Sequence, residues 1–171
     1  MNIEQQNGAN FSPEELREII KSKRREKVIQ LLEQNIFSHD KEEFYTSFRL
    51  SEHPRMLTQY TQAELSQIDT FKVPGFFIGF ALKHINEVTE IISVHNNEPT
   101  ILNIGSFILS AAIRNGGNAL DHFGTEKLNQ LYESMGFLEI YTEPYNPDYD
   151  KDGMLLERYG AVPVIYRVLK K

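Results

Sequence analysis

The chain has no cysteine among its 171 residues. This absence excludes disulfides, thiolate zinc sites and cysteine nucleophiles, and it fits a reducing compartment. Long apolar runs are also missing: no stretch of about 18 apolar residues exists, so we expect no membrane span. The first residues, MNIEQQNGANFSPEE, lack the basic start and apolar centre of a signal peptide. We therefore expect a cytoplasmic protein.

An excess of basic residues is missing too. The sequence holds 18 Lys and Arg against 24 Asp and Glu, for a net charge of −6. Binding to nucleic acid depends on neutralising phosphates, so an acidic chain is a poor candidate for it. The local exception is KSKRREK, residues 21–27, with five basic side chains. We interpret this basic run as a solvated helix face, with a contact to a partner or nucleic acid as the alternative.

An apolar content of 40% is ordinary for a globular protein, and the length suits one domain. Ser12 and Glu15 match a capping box and predict a helix that ends near Asn35. FYTSFRL, residues 44–50, predicts a strand because aromatic and β-branched residues suit a pleated surface. HPRMLTQYT, residues 53–61, predicts a loop that leads into a short helix.

The second half of the chain alternates between strand-like and helix-like segments. The predicted strands are 76–83, 87–96, 118–123, 137–142 and 163–170, and the predicted helices are 105–117 and 125–135. Helix 105–117 is apolar nearly all round, which indicates that it is buried. The alternation favours an α/β (α+β) fold in which helices pack on a central sheet.

LYESMGF, residues 131–137, is read as a helix stopped by glycine and followed by a strand. It matches the L-Y-x-x-x-G-F signature of the fourth helix in the GCN5-related N-acetyltransferases (GNATs), and the order of elements from about residue 71 onwards resembles that family. GGNALDHFGTEKLNQLYESMGF resembles, more narrowly, acetyltransferase-like proteins of phages and prophages. The resemblance implies a GNAT-like mixed central sheet flanked by helices. Residues 1–70 would form an N-terminal helical segment of the same domain, and residues 71–171 the acetyltransferase-like core.

The resemblance also implies a chemistry, the transfer of an acetyl group from acetyl-CoA to an amine of a small molecule or protein. Tyr132 matches the phenol that gives a proton to the departing thiolate, since a phenol with a pKa near 10 is still protonated at pH 7. The general base would be Glu90 or, alternatively, His95 at the end of the same predicted strand. Asp121 and His122 are adjacent on a strand and point to opposite faces, so they are not a catalytic pair.

GNATs bind the CoA pyrophosphate in a loop, Q/R-x-x-G-x-G/A, at the start of a helix. Here Thr100 replaces the Gln or Arg and Asn103 replaces the first glycine, while Gly105 is retained. The resemblance therefore assigns cofactor binding to Asn103, Ile104, Gly105 and Ser106. Asn tolerates a left-handed backbone, so the turn can persist. Its side chain, however, would stand where a phosphate must approach closely.

The departures in this loop keep a second hypothesis open. In it, the chain is a catalytically inactive phage or prophage protein that keeps the fold and modulates a host protein. The basic run and the acidic residues 148–152 would then be contact surfaces. The predicted partners are thus an amine substrate or a host protein, with a homodimer also open. We predict no metal, because the histidines lack ligand spacing and Tyr159 stands where a calcium loop like 148–153 needs a Glu.

Overall fold

A computed structural model describes residues 10–50 and 61–171. Six α-helices and six strands form within these described residues. The helices are α1 Pro13–Glu33, α2 Lys41–Arg49, α3 Gln62–Leu65, α4 Gly105–Arg114, α5 Glu126–Ser134 and α6 Met154–Tyr159. The strands are β1 Asp69–Lys72, β2 Ile78–Ile85, β3 Val88–Asn96, β4 Ala119–Phe123, β5 Phe137–Glu143 and β6 Val164–Leu169. Across the same residues, none of the helices combines the length and apolar character that a membrane crossing needs.

The strands form one sheet in the order β1-β2-β3-β4-β6-β5. All neighbours run antiparallel except β3 and β4, which are parallel. This parallel pair is in register at one position only, Glu90 opposite Ala119, and the two strands part beyond it. The mixed central sheet with flanking helices and an N-terminal helical segment confirms the predicted fold class.

Helix α1 begins as the sequence predicts. Ser12 Oγ accepts from the Glu15 N–H, and the Glu15 carboxylate accepts from the Ser12 N–H, which completes the capping box. The buried end of the helix packs Val28 and Leu32 into the main core, together with Ile108 of α4. The N-terminal helix therefore shares its core with the helix that opens the predicted cofactor site.

The predicted strand at residues 44–50 is wrong, because this segment belongs to helix α2. Asp40 caps the helix by accepting from the Glu43 N–H. Phe44 and Phe48 are four residues apart, so they lie on one helical face and are buried together against β2 and β3. Burial of this face outweighs the β preference of the individual residues.

The other elements lie close to their predicted bounds, with three exceptions. Strand β1 was not predicted, and β2 is shifted two residues towards the C-terminus, from 76–83 to 78–85. Helix α6 lies within residues 144–160, for which the sequence predicts a loop with one helical turn. The predicted loop at 53–61 falls almost wholly outside the described residues, and the short helix after it is α3. The division of the chain at residue 70 stays a prediction.

Candidate active site in the cleft between β3 and β4

A cleft of about 960 Å³ opens where β3 and β4 part. Its walls are the C-terminal halves of these strands, the start of α4 and one side of α5. The predicted site residues that line it are Tyr132, Asn103, Ile104, Gly105 and Ser106, and His95 lines it as well. Glu90 marks the closed end, where the strands still pair, and is not among the described residues that line the cleft.

A bulge in β3 accompanies the parting of the strands. The register against β2 slips between Gly79 and Ala81, so that Ser93 and Val94 together oppose one residue of β2. Ser93 has a φ of 53° in the middle of the strand. A bulge bends its strand and increases the local twist, which fits the divergence of β3 from β4. The sequence gives no signal for it, because ISVH reads as ordinary strand sequence.

His95 holds this bulge in place by connecting it to helix α2. Its Nδ1 donates to the Ser93 carbonyl at 2.9 Å, and its Nε2 accepts from the buried Ser47 hydroxyl of α2 at 2.7 Å. Phe44 and Phe48 lie edge-on to the imidazole. Burial lowers the pKa of His95 to about 4. The ring is therefore neutral at pH 7 with both nitrogens engaged, which argues against a role as general base.

Tyr132 lies on α5 with its ring 4.5 Å from that of His122 and 6.2 Å from that of Phe137. Within the described residues its hydroxyl makes no hydrogen bond. Burial, and next the negative charge of Asp121, raise the pKa of Tyr132 to about 12. The phenol thus keeps its proton throughout the physiological range, in a cleft that can admit a ligand.

A buried arginine connects strand β4 to helix α5 on the side of the cleft that carries Tyr132. Arg167 of β6 is 3% exposed and donates to His122 Nε2 at 2.9 Å and to the Phe137 carbonyl at 3.3 Å. It also reaches Asn129 and Glu133 of α5, both at 3.2 Å. His122 Nδ1 donates to the Phe123 carbonyl, and burial lowers the pKa of the imidazole. His122 is thereby a fixed support for Tyr132 and takes no part in a pair with Asp121.

Three carboxylates, Asp121, Glu143 and Glu90, lie close enough to influence one another, and one of them lines the cleft. Asp121 lines it and lies directly opposite Tyr166, which also lines it. Burial and the charge of Glu143 raise the pKa of Asp121, and burial and the charge of Asp121 raise the pKa of Glu90. Asp121 was not predicted as a site residue. It lies two residues beyond the point where β4 leaves β3, a point that no local sequence pattern marks.

Two residues at the start of α4 line the cleft and have backbone N–H groups with no partner in the described parts of the chain. Ile104, the residue before the helix, provides no side-chain cap. Asn103 has a φ of 56°, so the turn persists with asparagine in place of glycine. Among the described residues, the N–H groups of Asn103 and Ile104 find no acceptor. Successive backbone N–H groups in a turn conformation form a concavity that binds anions.

Two arginines of the basic run hold this loop. Arg25 Nε donates to the Leu102 carbonyl at 3.0 Å, and its Nη2 donates to the Asn103 carbonyl at 3.1 Å. In a trans peptide the C=O and the following N–H point in opposite directions. With both carbonyls drawn towards Arg25, the N–H groups of Asn103 and Ile104 are turned away from α1.

Arg24 secures the beginning of the same loop. It pairs with the buried carboxylate of Glu98 at 3.0 Å and donates to the Thr100 hydroxyl at 3.2 Å. The basic run is therefore only partly a solvated face: Arg24 and Arg25 have intramolecular roles that the sequence interpretation missed.

No family model matches the chain, and no curated protein matches it either. Within the described residues, no group of three or more His, Asp or Glu side chains could hold a metal ion. The function must therefore be argued from the geometry of the cleft.

Proposed function

We propose that the protein is a cytoplasmic, acetyl-CoA-dependent N-acetyltransferase of the GNAT type, acting on an amine of a small molecule or protein. One observation carries the proposal. The parted strands β3 and β4 form a single cleft with the Tyr132 phenol in its wall and the unpaired N–H groups of Asn103 and Ile104 at its edge. A protonated acid and an anion site in one cleft suit a phosphorylated thioester.

The residues at the start of α4 fit the pyrophosphate. The N–H groups of Asn103 and Ile104 point away from Arg25, and the positive end of the helix dipole lies beside them. Gly105 allows α4 to approach α5, since a Cβ there would lie 3.3 Å from Leu131 Cδ2. The asparagine that replaces the first glycine of the family loop is thus compatible with anion binding by the backbone. When bound, acetyl-CoA supplies an activated acyl group and a thiol leaving group.

Tyr132 would act on the leaving group chiefly as a hydrogen-bond donor. Its pKa of about 12 lies above the roughly 8.5 of an ordinary thiol. Complete transfer of the phenolic proton to a thiolate is therefore uphill by about 5 kcal/mol, at 1.36 kcal/mol per pKa unit. A hydrogen bond from the phenol to the developing charge avoids that cost and still stabilises the transition state.

The amine would enter on the side of the carboxylates. Asp121, Glu143 and Tyr166 give this side of the cleft a negative and aromatic character that attracts a cationic amine. Asp121 is better placed than Glu90 to accept the ammonium proton, since Asp121 lines the cleft and Glu90 lies at its closed end. We therefore move the role of general base from Glu90 to Asp121 within this proposal.

Acetyl-CoA affinity measured by calorimetry, with thermal shift as a check, tests the proposal. Saturable micromolar binding supports it, and a ligand at 100 times its Kd should stabilise the fold by about 2.7 kcal/mol. An acceptor screen with cationic amines then follows, using Asp121→Asn to test the base. Absence of binding at millimolar acetyl-CoA overturns the proposal.

One observation favours the second candidate, a catalytically inactive GNAT-fold protein of phage or prophage origin that binds a host protein. Strand β5 is at the edge of the sheet, and its Leu138 and Ile140 are 50% and 62% exposed. An exposed apolar edge strand is a template for pairing with another chain. Under this candidate, Ile140→Lys abolishes binding to the partner, and Tyr132→Phe leaves it unchanged.

A further inference from the structure

Ser93 combines two unfavourable features in the wall of the cleft. Its Oγ is buried and has no hydrogen-bond partner among the described residues. Its φ is positive, and the other described non-glycine residues with positive φ are all asparagines, which tolerate that region better than serine does. An unpaired buried hydroxyl and a strained backbone both oppose folding. Such features persist where the surroundings enforce them, and they concentrate at ligand sites.

The surroundings that enforce this conformation are the contacts of His95. The Ser93 carbonyl accepts from His95 Nδ1, and His95 is held in turn by Ser47 of α2. The Ser93 backbone is therefore fixed, and the main freedom left to the residue is rotation about χ1 between staggered rotamers. Because Ser93 lines the cleft and is only half-buried as a residue, such a rotation can turn the hydroxyl from its buried position towards a ligand.

We propose that Ser93 is a ligand-positioning residue whose hydroxyl donates a hydrogen bond to a carbonyl oxygen of the ligand in the cleft. The inference rests on the proposed function, in which acetyl-CoA offers its thioester carbonyl and the amide carbonyls of its pantetheine arm. In its buried position the hydroxyl has no acceptor among the described residues, and a bound carbonyl supplies one in the rotamer that faces the cleft. The hydroxyl therefore favours the bound state and disfavours the free state.

Ser93→Ala tests this with two measurements of opposite sign. Without ligand, removal of the unpaired hydroxyl should raise Tm by about 2 to 4 °C. With ligand, loss of one neutral hydrogen bond should weaken acetyl-CoA binding by about 3- to 10-fold. Ser110→Ala is the matched control, because this serine of α4 lies outside the cleft lining. We expect it to leave acetyl-CoA affinity unchanged.

Titration with both acetyl-CoA and CoA identifies the carbonyl. Weaker binding of acetyl-CoA alone assigns the hydroxyl to the thioester, and equal weakening of both ligands assigns it to the pantetheine arm. A lower Tm for Ser93→Ala overturns the inference by showing that the hydroxyl has a partner within the fold. A higher Tm with unchanged affinity overturns it while leaving the proposed function intact. Failure of the wild-type protein to bind acetyl-CoA overturns both.

Discussion

Strands β3 and β4 form opposite walls of the cleft, and each is held by a buried, neutral histidine with both nitrogens engaged. On the β3 side, His95 donates to a backbone carbonyl and accepts from the hydroxyl of Ser47, among phenylalanine rings. On the β4 side, His122 likewise donates to a carbonyl, but it accepts from the guanidinium of Arg167. The same arrangement, a neutral histidine with both nitrogens hydrogen-bonded, therefore lies among phenylalanine rings on the β3 side and beside a guanidinium on the β4 side.

The difference indicates that the two walls have different roles. Two strands that part cannot support each other, so each must be held by its own side of the molecule. The β3 wall is held by the buried face of α2, and His95 keeps its bulge in shape. Under the proposed function the β4 side also holds the phenol and the carboxylate of the site, since Arg167 fixes His122 against Tyr132 and Asp121 lies on the same strand as His122. The following variants disturb one wall at a time.

Replacement of Arg167 should have the largest effect. Arg167→Met leaves His122 Nε2 and the Phe137 carbonyl buried without a donor, so we expect the free energy of unfolding to fall by about 3 to 5 kcal/mol. Urea denaturation measures this loss. The double variant Arg167→Met with His122→Leu should lose less than the single one, because the buried acceptor nitrogen leaves with its donor. A loss below about 1 kcal/mol for Arg167→Met would contradict the role of Arg167 as the support of this wall.

The β3 wall should fail with acid. The pKa of His95 is lowered to about 4 from 6.5, so its contribution to stability is complete above pH 6.5 and is lost as the pH falls towards 4. The shift corresponds to about 3 kcal/mol. The raised pKa values of Glu90 and Asp121 act in the opposite direction. The folded state takes up protons at these carboxylates more readily than the unfolded state, so protonation of these groups stabilises the fold as the pH falls.

A comparison between variants isolates the histidine. We expect His95→Gln to show a smaller loss of stability than the wild-type protein between pH 6.5 and pH 4, although it is less stable at pH 7. Urea denaturation across that range measures both slopes. An unchanged slope in His95→Gln would exclude His95 as the source of the acid sensitivity.

The sequence predicted what depends on neighbouring residues. The helix that carries Tyr132 and the glycine that ends it follow from periodicity and capping within about ten residues, and the start of α4 follows from the polar loop before it and the apolar run after it. The supports of the two walls and of the loop before α4 join residues far apart in the chain: Ser47 to His95, His122 to Arg167 and Arg25 to Asn103. No local pattern marks such pairs, since each partner resembles an ordinary surface or core residue until the chain folds.

Tyr132→Phe sharpens the comparison by testing the β4 wall without disturbing its supports. The described structure gives the phenolic hydroxyl no hydrogen bond to lose, so we expect little change in Tm. Under the proposed function, turnover should fall by about 100-fold, which corresponds to about 2.7 kcal/mol of transition-state stabilisation. Steady-state rates measure this effect. Tyr141→Phe, an exposed tyrosine on β5, is the control and should keep the wild-type rate, whereas equal rates for both variants would remove Tyr132 from the chemistry.

The smallest effect is expected at the loop before α4, which lies at the end of the cleft and belongs to neither wall. Arg25→Met keeps the aliphatic stem on α1 but releases the carbonyls of Leu102 and Asn103, so the N–H groups of the loop lose their fixed direction. We expect CoA affinity to fall by about 10-fold, or 1.4 kcal/mol.

Two comparisons separate the direction of the loop from net charge. Affinity for acetyl-pantetheine, which has no pyrophosphate, should not change in Arg25→Met. Lys23→Met removes one positive charge from the same basic run at an exposed position. Calorimetry of the two variants with both ligands is decisive, because charge alone predicts equal losses in CoA affinity, whereas a loop held by Arg25 predicts a loss only in Arg25→Met. Equal losses would mean that the basic run of α1 affects CoA binding only through its positive charge. The loop would then keep the conformation of the anion site without the hydrogen bonds from Arg25.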